Sequence, residues 1–87
     1  MKAVVTVVGE DRVGIIARVS TLLCENDINI LDISQTIMQN MFTMIMLVEL
    51  KSESMAKIDE RLQGLAKEMK LSIHLQNEEL FSSMHRI

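Results

Sequence analysis

The chain has 87 residues, of which 48% are hydrophobic and 24% are charged, and its formal net charge is −3. This length allows one domain, and this composition supplies enough apolar residues for a core and argues against disorder. There is no basic block, and the aromatic residues are only Phe42 and Phe81, so the chain does not look like a nucleic-acid binder. No apolar run approaches the roughly 20 residues of a membrane span.

The single cysteine, Cys24, excludes an internal disulfide framework. The N-terminus enters a strand at once and lacks the charged, apolar and cleavage regions of a signal peptide. We therefore expect a cytoplasmic protein with one domain over residues 1–87, of which 77–87 form a short C-terminal helical extension.

The first half of the chain predicts a strand, a loop and a helix. The Val-rich run from Lys2 to Val8 is typical of a strand that is buried on both faces or nearly so. Helical spacing of apolar residues then continues from Gly14 to about Glu25. Its members are Ile15, Ile16, Val19, Leu22 and Leu23. Asn26-Asp27 ends this helix, because both side chains compete for local backbone hydrogen bonds.

The run Gly9-Glu10-Asp11-Arg12-Val13-Gly14 connects that strand to that helix. Glycine at both ends allows a tight bend and a close approach to a neighbour. The first amides of the helix have no intrahelical acceptor and lie at the positive end of the helix dipole, so the loop can hold a carboxylate or a phosphate. A surface turn with solvated charges is the plain alternative.

The second half repeats the pattern. Extended sequence from Ile28 to Met38 and from Met41 to Leu50 brackets Gln39-Asn40, which predicts a hairpin turn. Ser52 or Ser54 is the expected cap of a second helix. The apolar stripe of that helix is Met55, Ile58, Leu62, Leu65 and Met69, and a last half-buried strand alternates Leu71, Ile73 and Leu75 with polar residues.

A terminal helix is expected to begin at Glu78-Glu79 and to end at His85-Arg86, because these charges complement the helix dipole. Leu80, Met84 and Ile87 share its apolar face.

The order βαββαβ predicts an α+β, ferredoxin-like fold, in which two helices cover one face of a four-stranded antiparallel sheet. The third strand is apolar on its other side as well, through Met41, Ile45 and Leu47. A bare apolar face implies a partner, most simply a second copy of the chain in a homodimer or a higher homo-oligomer. Pairing of edge strands, or cover by the terminal helix, are open alternatives.

The residues that often carry chemistry have structural interpretations here. The eight methionines fit gaps and interfaces, and Cys24 has no neighbouring thiolate with which to share a metal, so neither a metal site nor a cofactor is predicted. His74 falls on the side of the last strand that faces away from the core. No serine lies in a nucleophile elbow and no catalytic triad is visible, so we expect a protein that is not an enzyme.

The stretch that best identifies a family is the first strand, its loop, the helix and the start of the second strand. It reads Val4-Val5-Thr6-Val7-Val8-Gly9-Glu10-Asp11-Arg12-Val13-Gly14-Ile15-Ile16, then Leu22-Leu23, then Asn26-Asp27-Ile28-Asn29-Ile30. In order and spacing it resembles an ACT domain, and the whole chain is similar to small standalone ACT-domain proteins of bacteria.

The resemblance implies regulation through a small metabolite, commonly an amino acid, that binds where two copies meet. The ligand would lie between the first loop of one copy and the start of the second strand of the other. Asp11 stands where serine-sensing relatives carry an Asn, Asn29 matches their second-strand Asn, and Gly14 matches a Gly that permits close approach. Arg12 and Val13 are weaker candidates, since Val13 replaces a frequent Pro. Gly9 stands where such relatives can carry a His.

The chemistry of these residues suits a zwitterion. A carboxylate would accept from the amides near Gly14 and Ile15, and an ammonium group would bind Asp11 through a charge-assisted hydrogen bond. Asn29 both donates and accepts, so it suits either end. Arg12 could hold the carboxylate or pair with Glu10 at the surface.

Two other functions remain open. Acylphosphatases share the βαββαβ order and hold phosphate in the first loop, with an Arg and a later Asn. This loop lacks their longer pattern, and Asp11 would repel phosphate. The stronger alternative is a ligand-free module that binds a regulated protein partner through its Met-rich sheet face or its terminal helix.

Overall fold

The computed structural model describes residues 1–84, and its elements follow the predicted order. They are β1 (Lys2–Glu10), α1 (Ile15–Glu25), β2 (Asn29–Met38), β3 (Met41–Glu49), α2 (Met55–Met69), β4 (Leu71–Asn77) and α3 (Glu78–Met84). A single 3₁₀ turn, Ser52–Ser54, precedes α2. The four strands form one sheet in the order β2-β3-β1-β4, and every neighbouring pair is antiparallel. The predicted ferredoxin-like α+β fold is confirmed.

The core lies between one face of the sheet and the two long helices. The sheet contributes Ala3, Val5 and Val7 of β1, Phe42, Met44, Met46 and Val48 of β3, and Ile73 of β4. The helices contribute Ile15, Val19 and Leu23 of α1 and Ile58, Leu62, Leu65, Ala66 and Met69 of α2. Alternation along the strands and helical spacing along α1 and α2 therefore predicted most of the buried faces, including the use of Met44 and Met46 as filling of the core. Ile16, which also belongs to the apolar spacing of α1, is exposed instead.

Within residues 1–84, the opposite face of the sheet is covered on the β1–β4 side. Val4 alternates onto this face, yet it is only 5% exposed, and α3 lies against β1 and β4. Met41 and Ile45 of β3 remain exposed. The terminal helix thus covers the β1–β4 side, and an apolar part of β3 stays open to solvent. His74 lies on this face too, exposed as expected, with its Nε2 3.2 Å from Ser72 Oγ.

The hairpin between β2 and β3 has the predicted two-residue turn. Gln39 and Asn40 have φ values of 50° and 69°. Positive φ at both central residues is the type I′ geometry, whose twist matches that of the flanking strands.

Two local expectations were wrong. Gly9 does not bend the chain: β1 continues through it to Glu10, because Gly9 pairs with both Phe42 and Leu71. The expected close approach does occur there, since a Cβ on Gly9 would lie 2.5 Å from Leu71 Cδ2. Ser54 occupies the cap position of α2, but its side chain forms no capping hydrogen bond.

The terminal helix begins at Glu78, as predicted. Asn77 caps it, because its Oδ1 accepts a hydrogen bond from the Leu80 N–H across 2.7 Å. The expected helix end at His85-Arg86 and the position of Ile87 lie outside the described residues. Among residues 1–84, no helix combines the length and apolar character needed to cross a bilayer.

Candidate functional site

The loop between β1 and α1 is shorter than the sequence suggested, since only residues 11–14 lie outside the two elements. The Asp11 N–H donates to the carbonyl oxygen of Asn40 across 2.7 Å, which ties the loop to the β2–β3 turn. Gly14 ends the loop with a φ of 94°. A Cβ at Gly14 would meet nothing within 4 Å, so its backbone angle, and not lack of space, requires glycine here.

The start of α1 leaves backbone donors beside this loop. The Gly14 carbonyl accepts from the Arg18 N–H across 2.9 Å, which closes the first helical turn. The N–H groups of the residues between them have no intrahelical acceptor, and the helix dipole makes this end partly positive. An anionic group placed against the loop would satisfy these donors.

A hollow of about 220 Å³ lies between the loop, the start of α1 and the far half of β2. We call it the loop hollow. It is lined by Asp11, Arg12, Gly14, Ile15, Ile16, Ala17, Gln35, Ile37 and Phe42. Three of the five candidate residues, Asp11, Arg12 and Gly14, thus lie together in one depression. Val13 is not among the lining residues and is 100% exposed.

The two charged side chains of the loop hollow are unpaired within residues 1–84. Asp11 and Arg12 are both exposed, and neither belongs to an ion pair with a described residue. The alternative pairing of Arg12 with Glu10 does not occur. Opposite charges on adjacent residues are therefore available to the two ends of a small zwitterion.

Asn29 lies in a different hollow, at the other end of the sheet. This strand-start hollow, about 450 Å³, is lined by Ser20, Cys24, Asp27, Ile28, Asn29 and Ile30. Six strand steps separate Asn29 from Gln35, and eight separate it from Ile37, which is about 20–26 Å in an extended chain. Within one chain, therefore, Asn29 does not reach the loop hollow, and only a second copy could bring such a residue to it.

The strand that links the two hollows, β2, forms an edge of the sheet. Every side chain of β2 except that of Ile30 is exposed. The N–H of Ile33 donates to its neighbour Asp32 Oδ1 across 2.8 Å. An exposed edge strand offers unpaired backbone groups to another chain, and Asp32 satisfies one of them locally.

Sequence reasoning missed Gln35, Ile37 and Asn40 as neighbours of the loop. The signal was present in the predicted topology, because the end of β1 and the β2–β3 turn lie at the same end of the sheet when β1 and β3 pair antiparallel. The register confirms this, since Glu10 pairs with Met41.

A third hollow, about 400 Å³, lies between α1 and α2, where an ion pair joins Arg18 to Glu68. Among the residues that the structure describes, it shares only Ala17 with the loop hollow. Within residues 1–84, no group of three His, Cys, Asp or Glu side chains could hold a metal ion.

Comparison with known proteins identifies close relatives over the whole chain. A family model described as an ACT domain matches residues 2–76. A UPF0237 protein of Clostridium acetobutylicum is 53% identical over 89 aligned residues, covering 100% of both chains. A UPF0237 protein of Methanocaldococcus jannaschii is 46% identical, covering 99% of this chain and 98% of its own. Among solved structures, an ACT domain protein from Streptococcus pneumoniae superposes with a TM-score of 0.83 at 34% identity, covering 93% of each chain.

Proposed function

Because the chain belongs to the ACT-domain family, whose members are typically small-molecule-binding regulatory domains, we propose that it senses an amino acid and performs no catalysis itself. The observation that carries the proposal is the loop hollow, where Asp11 and Arg12 present opposite, unpaired charges beside the start of α1. Bound amino acid would then change how the protein engages a regulated protein partner.

The charges assign an orientation to the ligand. The carboxylate accepts from the free N–H groups at the start of α1, with Arg12 as a second, charged donor. The ammonium group donates to the Asp11 carboxylate. Gly14 keeps the backbone free of a side chain at the point of closest approach.

Pairing of β2 with β2 of a second copy would complete the site. If the two β2 strands pair antiparallel over the whole of Asn29–Met38, the start of each strand lies beside the end of the other. The partner's Asn29 end then lies beside the end that carries Gln35 and Ile37, so that the loop hollow of one copy faces the strand-start hollow of the other. This arrangement explains how Asn29 can serve a site that it does not reach within its own chain.

The test is a thermal-unfolding screen against the twenty amino acids. A ligand at 100 times its Kd stabilises a protein by about 2.7 kcal/mol, which for a domain of this size raises the Tm by roughly 10–20 °C. Asn29→Ala should abolish the ligand-dependent shift and leave the Tm without ligand unchanged. The control is Ser34→Ala, an exposed residue of the same strand that lines neither hollow, and it should keep the shift.

Other outcomes would favour the alternatives. A full shift in Asn29→Ala would contradict the assignment of Asn29, and a strict monomer by light scattering would contradict a site shared by two copies. If no amino acid stabilises the protein, a ligand-free interaction module is favoured. The observation that supports such a module is the exposed apolar surface of Met38, Met41 and Ile45. Hydrolysis of an acyl phosphate above background would instead favour an acylphosphatase.

A further inference from the structure

We infer that the amino acid bound in the loop hollow carries a short aliphatic side chain, and that Ile37 determines this specificity. The inference rests on the proposed function, because it concerns the same site. It goes further in naming the class of side chain and the strand residue that selects it.

The register of the β2–β3 hairpin determines which face of the sheet Gln35 and Ile37 occupy. Gln35 pairs with Met44 and Ile37 pairs with Phe42. Directly paired residues project on the same face of a sheet, and Met44 and Phe42 are both buried in the core between sheet and helices. Gln35 and Ile37 therefore face the helix layer from an edge strand, alongside the start of α1.

The helix layer does not cover this part of β2. Ile37 is 52% exposed, and Ile16 on the facing side of the hollow is exposed as well. Phe42, which is buried, contributes to the same lining. The hollow thus has an apolar wall that is left in water in the isolated chain, and a ligand methyl group laid against it would remove apolar surface from both partners.

The charged side chains of the loop hollow bind the ammonium and carboxylate groups, which every amino acid has. Asp11 and Arg12 match the ammonium and carboxylate groups, and among the described lining residues Gln35 is then the one uncharged polar side chain. A carboxamide donates and accepts, so Gln35 orients either charged end without demanding a polar side chain. A serine hydroxyl turned toward Ile16 and Ile37 would lose water without gaining a partner there, which is unfavourable.

The loop hollow is small. It measures about 220 Å³, below the roughly 300–1,000 Å³ of pockets that hold drug-sized ligands. We therefore extend the inference to the short aliphatic amino acids valine, leucine and isoleucine, and phenylalanine in the binding panel tests this choice of size.

The experiment measures the Kd of valine, leucine, isoleucine, serine, asparagine and phenylalanine by titration calorimetry on the full chain. At least one aliphatic amino acid should bind about tenfold or more tightly than serine, since each methylene in an apolar pocket contributes discrimination of that order. Ile37→Thr keeps a β-branched strand residue but removes apolar surface, so it should reduce this ratio at least about threefold. Ile45→Thr is the matched control, because Ile45 is 40% exposed on the opposite face of the sheet, and it should preserve the ratio.

The outcomes separate this inference from the proposed function. Absence of binding by every amino acid overturns both. Tightest binding by serine, asparagine or phenylalanine leaves an amino-acid sensor but overturns the aliphatic specificity. If Ile37→Thr weakens serine and the aliphatic ligands by the same factor, Ile37 is only structural and its selective role is overturned.

Discussion

The backbone N–H of Asp11 donates a hydrogen bond to the carbonyl oxygen of Asn40 across 2.7 Å, although 29 positions separate the two residues in the chain. The bond joins the β1–α1 loop to the turn of the β2–β3 hairpin. Because the acceptor is a backbone atom of a type I′ turn, the position of Asp11 depends on the geometry of that turn more than on the side chain of Asn40. The conformation of the turn and that of the candidate site are therefore coupled.

Substitutions at Gln39 test the conformation of this turn, because Gln39 is held at a φ of 50°. Gln39→Val puts a β-branched side chain into the left-handed region and should lower the free energy of unfolding by about 1–2 kcal/mol. Gln39→Asn is the matched control, since Asn tolerates this region, and it should be neutral or slightly stabilising. Urea unfolding measures both. Equal stability of the Val and Asn variants would mean that the turn does not hold this conformation in solution.

The sequence predicted best those helices and strands whose apolar residues form one buried face. The stripe of α2 and the alternation of β3 identified the core, because a helix or strand that packs on one face shows that face as a period in the sequence. The hairpin turn was located without the glycine that usually marks it. In this turn the flanking strands hold Gln39 and Asn40 at positive φ.

The candidate site was only partly predictable. Asp11 and Gly14 could be found because they belong to one short loop, whereas Gln35 and Ile37 come to that loop through strand pairing. Gly9 shows the other source of error: a glycine next to a loop suggests a bend, but here pairing on both sides holds it extended. A glycine's role depends on its neighbours in space, which the local sequence does not state.

Gly14 and Gly64 form a pair of substitutions with opposite expected signs. A Cβ at either position would meet no atom within 4 Å, so packing does not distinguish them. Gly14 has a φ of 94°, and Gly14→Ala should destabilise the protein by about 1–2 kcal/mol. Gly64 lies within α2, where alanine is the better helix former, and Gly64→Ala should stabilise by about 1 kcal/mol. Denaturant midpoints give both values. Destabilisation by both substitutions would show that something other than backbone conformation governs these positions.

Gly9 is constrained by its neighbour Leu71. The Cβ of Gly9→Ala would lie 2.5 Å from Leu71 Cδ2, and this atom ends a flexible, half-buried side chain that can turn aside. We therefore expect a loss of about 1 kcal/mol, at the low end of the cost of overpacking. In a Leu71→Ala background the contact is absent, and the same substitution should be neutral or stabilising. A double-mutant cycle measures the coupling, and strictly additive effects would exclude a direct contact between the two side chains.

The proposed pairing of two copies through the free edge of β2 can be tested by substitution. The midpoint of Asn29–Met38 falls between Ile33 and Ser34, so an antiparallel β2–β2 pair has Ile33 of each copy close to the twofold axis. Ile33 is 44% exposed. Ile33→Lys would bring two like charges together there and should weaken dimerisation at least about tenfold. Ile45→Lys is the control, because Ile45 lies on the open face of β3 and away from the edge, and it should leave the dimer intact.

A substitution of Asp32, at the same edge, should have the opposite effect on the dissociation constant of the proposed dimer. Its Oδ1 accepts the Ile33 N–H across 2.8 Å, which competes with pairing to a second strand, and its charge would be repeated across the axis. Asp32→Ala removes both effects, so it should tighten the dimer while Ile33→Lys loosens it. Sedimentation equilibrium over a range of protein concentrations measures the two dissociation constants. If Ile45→Lys disrupts the dimer and the two edge variants do not change it, the copies meet through the open sheet face instead of through β2.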